Sequence, residues 1–312
     1  MRFLKTVLVF HLCLAVAGCA QKEPPVRPPV IDMHVHAQQL WAEPGTDAGT
    51  KFGTVFGERH LGIPAAQSTE HLQEATLEAF SRYNIIMAVV GGGRSTQYRE
   101  ANPTRILAGP DLKGPHVSID SLRADFVTGR YQVFAEFMPQ YSGLSPDDPV
   151  LEPYFALAEE LDVPMGIHMG LGPPGAALGA SPHFRMAAGD PLLLEDVLAR
   201  HPKLRLYVMH AGWPRLDEMI ALMHAFPEVH VDLGVINWYL PKTEFYTYLQ
   251  RLVDAGFGKR IMFGSDQMVW PGAIGRAIET VEAAPFLSEE QHRDIMCRNA
   301  MRFLRLAVEV CG

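Results

Sequence analysis

The chain has 312 residues, of which 48% are hydrophobic and 20% charged, and its formal net charge is −8 at pH 7. This composition is typical of a globular protein with enough apolar residues for a large core. An acidic chain without a basic stripe argues against nucleic acid as a partner. The chain after residue 29 has a length at which α/β barrels commonly form one domain.

The first residues are typical of an export signal. Arg2 and Lys5 precede an apolar run over residues 7–17, which is shorter than the roughly 20 residues that span a membrane. The run ends in Val-Ala-Gly-Cys at residues 16–19, which resembles the lipobox of bacterial lipoproteins. The resemblance implies cleavage before Cys19 and a lipid on its sulfur. Ala20 follows the cysteine where an Asp could stand, which fits a periplasmic protein anchored to the outer membrane. The alternative to a lipoprotein signal is an ordinary signal peptide.

A proline-rich segment follows the signal. Residues 21–29 contain Pro24, Pro25, Pro28 and Pro29, which favour a stiff polyproline-type tether. We therefore expect a signal peptide over residues 1–18, a tether over 19–29 and one folded domain over 30–312.

Strand-like and helix-like segments alternate through the rest of the chain. Most of the strand candidates are continuous apolar runs, as in strands buried on both faces; they cover residues 30–36, 85–90, 105–108, 132–137, 164–168, 205–210, 229–233 and 260–263. Helix candidates lie between and after them, at residues 69–83, 118–128, 150–161, 191–199, 213–225, 243–255, 274–284 and 289–306. Eight strands alternating with helices predict an α/β fold of the (β/α)8 TIM-barrel type. A doubly wound open sheet is the alternative.

Several of these strands end in a residue that can bind metal. Because residues two apart on a strand share a face, the first strand places two imidazoles side by side. The carboxyl ends of barrel strands meet at one rim, where active sites lie. The residues that we expect to converge there are His34, His36, Glu136, His168, His210 and Asp266.

This ordered set resembles the amidohydrolase superfamily. The His-x-His motif, the single histidines on strands five and six, and Gly264-Ser265-Asp266 on strand eight carry the resemblance. The amino-acid sequences of residues 260–266 and 298–304 are most similar to those of the amidohydrolase-related (amidohydrolase 2) branch. That branch includes metal-dependent hydrolases, lactonases, and decarboxylases of the aminocarboxymuconate-semialdehyde type.

The resemblance implies a role for each residue. His34, His36, His168 and Asp266 would bind a divalent ion, with zinc the first choice and manganese or iron also compatible with these ligands. His210 would hold a substrate carbonyl or transfer a proton. Many binuclear members carry a bridging lysine on strand four, whereas this chain has Glu136 there. One ion is therefore expected, with Glu136 as a candidate ligand that would bridge two ions if a second binds.

Three functions follow from such a site. The first is hydrolysis of an amide, lactone or ester bond in a small organic molecule by a water whose pKa the ion lowers to about 7, with Asp266 moving the proton. The second is decarboxylation of a small, possibly aromatic, carboxylic acid. The third is non-enzymatic ligand binding, which a complete ligand set disfavours. The substrate and the oligomeric state stay open, a homo-oligomer being possible.

The loops after the strands suggest a substrate pocket. Arg94 follows three glycines after strand two and could bind a carboxylate, although a glycine run is more often a tight turn. Trp213 and Trp270 follow strands six and eight and could contact an apolar substrate, with ordinary packing as the alternative. The Gly-, Ala- and Pro-rich loop over residues 169–186 could act as a lid.

Two cysteines remain in the folded domain. Cys297 and Cys311 lie in or just after the last helix-like segment, and 14 residues of helix would separate them by about 21 Å. We therefore expect no disulfide between them unless that helix breaks.

Overall fold

The computed structural model of the protein describes residues 27–40, 62–179 and 181–311. The expected signal peptide, Cys19 and most of the expected tether lie outside the described residues. Among the helices that are described, none is both long enough and apolar enough to cross a membrane.

The described residues form nine β-strands that pair only in parallel. Their bounds are β1 Val30–His36, β2 Ile85–Gly91, β3 Ile106–Ala108, β4 Asp111–Leu112, β5 Phe134–Phe137, β6 Met165–Ile167, β7 Leu206–Val208, β8 His230–Asp232 and β9 Ile261–Met262. β3 and β4 are two halves of one barrel strand that breaks at Gly109-Pro110. β4 pairs with β5 through Asp111 and Glu136, and the end of β3 bonds to the chain just before β5, since Gln132 N donates to Ala108 O at 2.9 Å.

Hydrogen bonds between the first and last strands close the sheet into a barrel. Met33 N donates to Phe263 O at 2.9 Å, and Asp266 N donates to His34 O at 2.7 Å. Closure leaves the sheet without free edges. The predicted (β/α)8 barrel is confirmed, and the open-sheet alternative is wrong.

Helices surround the barrel. They are α1 Thr69–Arg82, α2 Ser95–Ala101, α3 Ile119–Val127, α4 Glu152–Glu160, α5 Glu195–Arg200, α6 Leu216–Ala225, α7 Ile236–Tyr239, α8 Lys242–Leu252, α9 Gly272–Glu282, α10 Glu289–Arg293 and α11 Asn299–Phe303. In α1, Ser68 caps the first turn by accepting from His71 N. Leu72, Thr76 and Phe80 recur every four residues and are buried, so one stripe of the helix faces the barrel.

The amino ends of the strands form an apolar floor. Tyr207 illustrates it, because its hydroxyl lies 3.1 Å from Met33 O and 3.3 Å from Ala135 O, on two other strands. The C-terminal segment packs on the same cluster through Phe303, whose ring contacts Tyr207 edge to face. This segment therefore covers the end of the barrel opposite the carboxyl ends of the strands.

A disulfide joins Cys297 to Cys311, with their Cα atoms 5.9 Å apart. The expectation of no disulfide is therefore wrong. The continuous helix assumed for it breaks, because α11 ends at Phe303 and Arg305 takes a left-handed φ of 57°. The chain then turns back, and a 3-10 turn over Val308–Cys311 brings the second cysteine to the first.

Candidate metal centre and active site

The six residues expected at the rim come together in one buried cluster. His34 and His36 end β1 and Glu136 lies in β5, and all six have at most 6% of their surface exposed. His210 and Asp266 lie in turns just beyond their strands, with left-handed φ values of 57° and 48°. Such values strain an L-residue, so other contacts must hold these turns.

The two imidazoles of β1 both lie close to one oxygen of Asp266 and one oxygen of Glu136. His36 Nε2 lies 3.0 Å from Asp266 Oδ1 and 3.5 Å from Glu136 Oε2. His34 Nε2 lies 3.8 Å from the same Asp266 oxygen and 3.9 Å from the same Glu136 oxygen. His34 Nε2 and Asp266 Oδ1 are buried and have no hydrogen-bond partner among the described residues.

These separations fit ligands that share one ion. With bonds of about 2.1 Å, neighbouring ligands lie roughly 3.4 Å apart around a tetrahedral ion and roughly 3.0 Å apart around an octahedral one. Buried polar atoms without partners are costly, which indicates that a ligand satisfies them. The donor set of imidazole nitrogens and carboxylate oxygens suits zinc, manganese or iron.

The second carboxylate oxygen of Glu136 faces the other two histidines. His168 Nδ1 lies 2.9 Å from Glu136 Oε1, and His210 Nε2 lies 3.0 Å from His168 Nδ1. His168 Nε2 is buried without a partner among the described residues. Glu136 thus lies between the histidines of β1 on one side and His168 and His210 on the other. A ligand that bridges two ions requires this placement.

Charges in the cluster shift several pKa values. Burial alone would lower the pKa of both histidines of β1, but neighbouring carboxylates outweigh this effect. Asp266 and Asp232 raise the pKa of His34 well above its usual range. Asp111 and Asp266 raise the pKa of His36 to about 10. Burial would raise the pKa of Glu136, but His168 and the histidines of β1 hold it well below its usual range. A region this rich in carboxylates attracts cations.

His210 behaves differently from the other histidines. Burial, with His168 nearby, lowers its pKa to about 4, so it is neutral at pH 7. Its Nδ1 lies 3.0 Å from Gly234 O, a carbonyl that can only accept. The ring proton therefore sits on Nδ1, and Nε2 keeps its lone pair.

The sequence matches the family model described as Amidohydrolase over residues 31–306. The chain belongs to the amidohydrolase family. Among curated proteins, none has a sequence that matches this chain significantly.

Solved structures share the barrel of this amidohydrolase. An uncharacterised TIM-barrel protein from Bordetella bronchiseptica has a TM-score of 0.65 and 17% identity, covering 89% of this chain and 98% of that one. A 5-carboxyvanillate decarboxylase from Novosphingobium aromaticivorans, complexed with manganese, has a TM-score of 0.62 and 14% identity, with coverages of 89% and 96%. A probable 2-pyrone-4,6-dicarboxylic acid hydrolase from Acinetobacter baumannii has a TM-score of 0.58 and 12% identity, with coverages of 89% and 99%. At such identities the likeness shows the fold.

Four polar residues of the amidohydrolase site were not singled out from the sequence. Asp111 and Asp232 contact the imidazoles of β1, and Gln267 bonds both backbone groups of His36, at 3.0 and 2.8 Å. Asp232 ends β8, so its position at a strand end was a usable signal. Asp111 was hidden because the break at residues 109–110 separates it from the apolar run before it. Tyr141 follows β5, and its ring lies 4.9 Å from that of His168.

Asp32, which also lies on β1, contacts backbone groups rather than the histidine rings. Its Oδ1 accepts from His34 N at 3.1 Å and Ser265 N at 2.8 Å, which ties β1 to the chain after β9. Burial raises its pKa to about 7.

The expected substrate-binding residues occupy different environments. Arg94 is half-buried, and its backbone N–H donates to Ala37 O at 3.1 Å, beside the end of β1. Trp213 is half-buried, and its indole N–H donates to Glu244 at 3.1 Å. Trp270 is 1% exposed and packs edge to face on Trp238, as expected if its role is packing. Their contribution to substrate binding stays a prediction.

The loop after β6 contacts the site from above. Phe184 is buried, and its ring centroid lies 5.0 Å from that of Tyr141. Gln140 fastens the loop, since its side-chain amide donates to Gly170 O at 2.8 Å and Arg185 O at 3.1 Å. The described part of this loop therefore forms an aromatic wall beside His168.

Proposed function

We propose that this amidohydrolase is a metal-dependent hydrolase that cleaves an amide, lactone or ester bond of a small organic molecule. The observation that carries the proposal is the buried group of His34, His36 and Asp266, whose ligand atoms lie within 4.8 Å of one another, with Glu136 Oε2 3.5 and 3.9 Å from the two imidazoles. Zinc is the first choice, and manganese is the second because two solved structures of similar fold contain bound manganese.

His34, His36 and Asp266 would hold the ion, and Glu136 Oε2 lies beside them. His168 contacts the other carboxylate oxygen of Glu136, Oε1. When bound, a divalent ion supplies a Lewis acid and lowers the pKa of a water molecule to about 7. Glu136, His168 and His210, whose ligand atoms also lie close together, would hold a second ion.

Asp266 and His210 would take different catalytic roles. Asp266 Oδ1 faces the donor cluster, while its Oδ2 lies 3.7 Å from His210 Nδ1. Asp266 would take the proton of the attacking water and return it to the leaving group. His210 would accept a hydrogen bond through Nε2 rather than donate one to a substrate carbonyl, because Nε2 is unprotonated at pH 7 and faces the cluster.

Decarboxylation of a small carboxylic acid is the second candidate. It is supported by solved structures of similar fold, which include 2,6-dihydroxybenzoate and 5-carboxyvanillate decarboxylases. The same donor set would serve either reaction.

A substrate screen in ¹⁸O-labelled water tests both reactions. The metal-loaded protein is mixed with amides, lactones, esters and carboxylic acids, and products are analysed by mass spectrometry. A hydrolase incorporates one ¹⁸O into its product, whereas a decarboxylase releases CO₂ without net addition of water. Tight binding of a compound with no turnover would contradict both and favour a binding protein.

We also propose that Cys19 carries a lipid that anchors the protein in the periplasm, with the outer membrane as the expected site. The Cys297–Cys311 disulfide supports an oxidising compartment, because reducing conditions keep cytosolic thiols free. Labelling of cells with a palmitate analogue should mark the wild-type protein and not Cys19→Ala. Equal labelling of both would contradict the anchor.

A further inference from the structure

Each imidazole of the His-x-His motif rests on a carboxylate from another strand. His34 Nδ1 lies 3.1 Å from Asp232 Oδ2, and His36 Nδ1 lies 3.2 Å from Asp111 Oδ2. We infer that Asp232 and Asp111 are positioning residues that fix the proton on Nδ1 of each ring and direct each Nε2 toward the metal centre. The inference rests on the proposed metal-dependent function.

The chemistry of the pairs sets the tautomer. An ionised carboxylate can only accept, so the facing Nδ1 must carry the proton. A neutral imidazole protonated at Nδ1 has its lone pair on Nε2. In both histidines that atom lies within 3.9 Å of Glu136 Oε2 and Asp266 Oδ1. Each carboxylate thus holds its ring in the one form and direction that can bind the ion.

Asp232 is the more firmly held of the two. It is fully buried, and its Oδ1 accepts from His210 N at 3.0 Å and from Gly234 N at 2.8 Å. Its two oxygens therefore connect the ring of His34 to the backbone of the left-handed turn at His210. Loss of this carboxylate should disturb both histidines.

Asp111 is held more loosely. It lies on the two-residue strand β4, its side chain is 16% exposed, and its Oδ1 has no hydrogen-bond partner among the described residues. A Cβ at Gly91 would overlap that oxygen, so the absence of a side chain there makes room for the carboxylate. We expect Asp111 to contribute less than Asp232 because fewer bonds fix it.

Zinc affinity tests the inference without a substrate. Asp232→Asn and Asp111→Asn keep the side-chain shape and remove the charge, and Asp294→Asn is a matched control. Asp294 is also buried, but it pairs with Lys259 and Arg302 at the floor. Competition with a chromophoric chelator should give 10- to 100-fold weaker zinc binding for Asp232→Asn, about tenfold for Asp111→Asn, and less than threefold for the control.

Nitrogen-15 NMR of the zinc-loaded full chain supplies a second readout. It should show His34 and His36 bound through Nε2 and protonated at Nδ1. Coordination of either ring through Nδ1 would overturn the inference, as would wild-type zinc affinity in both aspartate variants. The wild-type spectrum decides even if Asp232→Asn does not fold. Zinc binding in the wild type with these contrary results would leave the proposed function standing, whereas a wild type that binds no zinc would overturn both.

Discussion

The two ends of the barrel differ in whether their buried polar groups have partners. At the carboxyl ends of the strands, His34 Nε2, His168 Nε2 and Asp266 Oδ1 are buried without hydrogen-bond partners among the described residues. At the amino ends, Asp294 pairs with Lys259 and Arg302, and the disulfide closes an apolar cluster. An unpaired buried polar atom costs about 1–3 kcal/mol of stability. The unpaired atoms at the carboxyl ends therefore destabilise the fold, and the paired groups at the amino ends can offset that loss.

This contrast indicates a division of labour within one fold. The rim keeps donor atoms available for a ligand, while the floor is satisfied internally and fixes the strands beneath it. Changes at the rim should therefore alter chemistry with little loss of stability, and changes at the floor should do the reverse.

The largest effect is expected for Asp266→Asn at the rim. The variant cannot accept the proton of the attacking water, so kcat should fall by about 10²–10⁴-fold on any substrate that the wild type hydrolyses. The melting temperature should stay within a few degrees of wild type. Full activity in a variant that still binds metal would remove Asp266 from the mechanism.

Metal affinity should depend strongly on pH. Because its pKa is raised to about 10, the metal-free ring of His36 holds a second proton at neutral pH, and the raised pKa of His34 favours its protonated form as well, whereas a ligand imidazole must be neutral. Binding therefore releases protons, and apparent affinity should fall by up to about tenfold per pH unit for each proton as the pH drops from about 9 to 6. Zinc titrations across this range check the prediction, which equal affinity at both ends would contradict.

Loss of the disulfide should affect the floor alone. Cys311→Ser opens a loop of 14 residues, which should cost about 3 kcal/mol and lower the melting temperature by about 5–10 °C. Cys297→Ser is the matched control and should give a similar shift. Zinc content should match wild type in both variants. Loss of zinc together with stability would show that the two ends are not independent.

The smallest effect is expected for Trp213→Phe. The substitution keeps an aromatic ring and removes one exposed hydrogen bond to Glu244, so stability should change by about 1 kcal/mol or less. If Trp213 contacts the substrate, KM should rise while kcat and the melting temperature hardly move. An unchanged KM would assign Trp213 to packing.

The sequence predicted the barrel and its six rim residues well, because apolar runs that end in His, Glu or Asp report both a strand and its carboxyl end. It could not predict features that depend on where a strand or a helix is interrupted. The split at Gly109-Pro110 concealed Asp111, and the left-handed Arg305 ended the last helix early and so permitted the disulfide. Asp232 was overlooked although it ends β8, because the predicted strand ran on to residue 233 and so placed the aspartate inside the strand.

Metal content is the most direct test of the central claim that the rim is a metal centre. Wild type and the His34→Ala/His36→Ala variant are loaded with zinc or manganese, desalted and measured by elemental analysis, with circular dichroism to confirm folding. We predict about one ion per chain in the wild type, or two if Glu136 bridges, and none in the folded variant. A wild type that retains no metal, or a variant that retains as much as the wild type, would contradict the account.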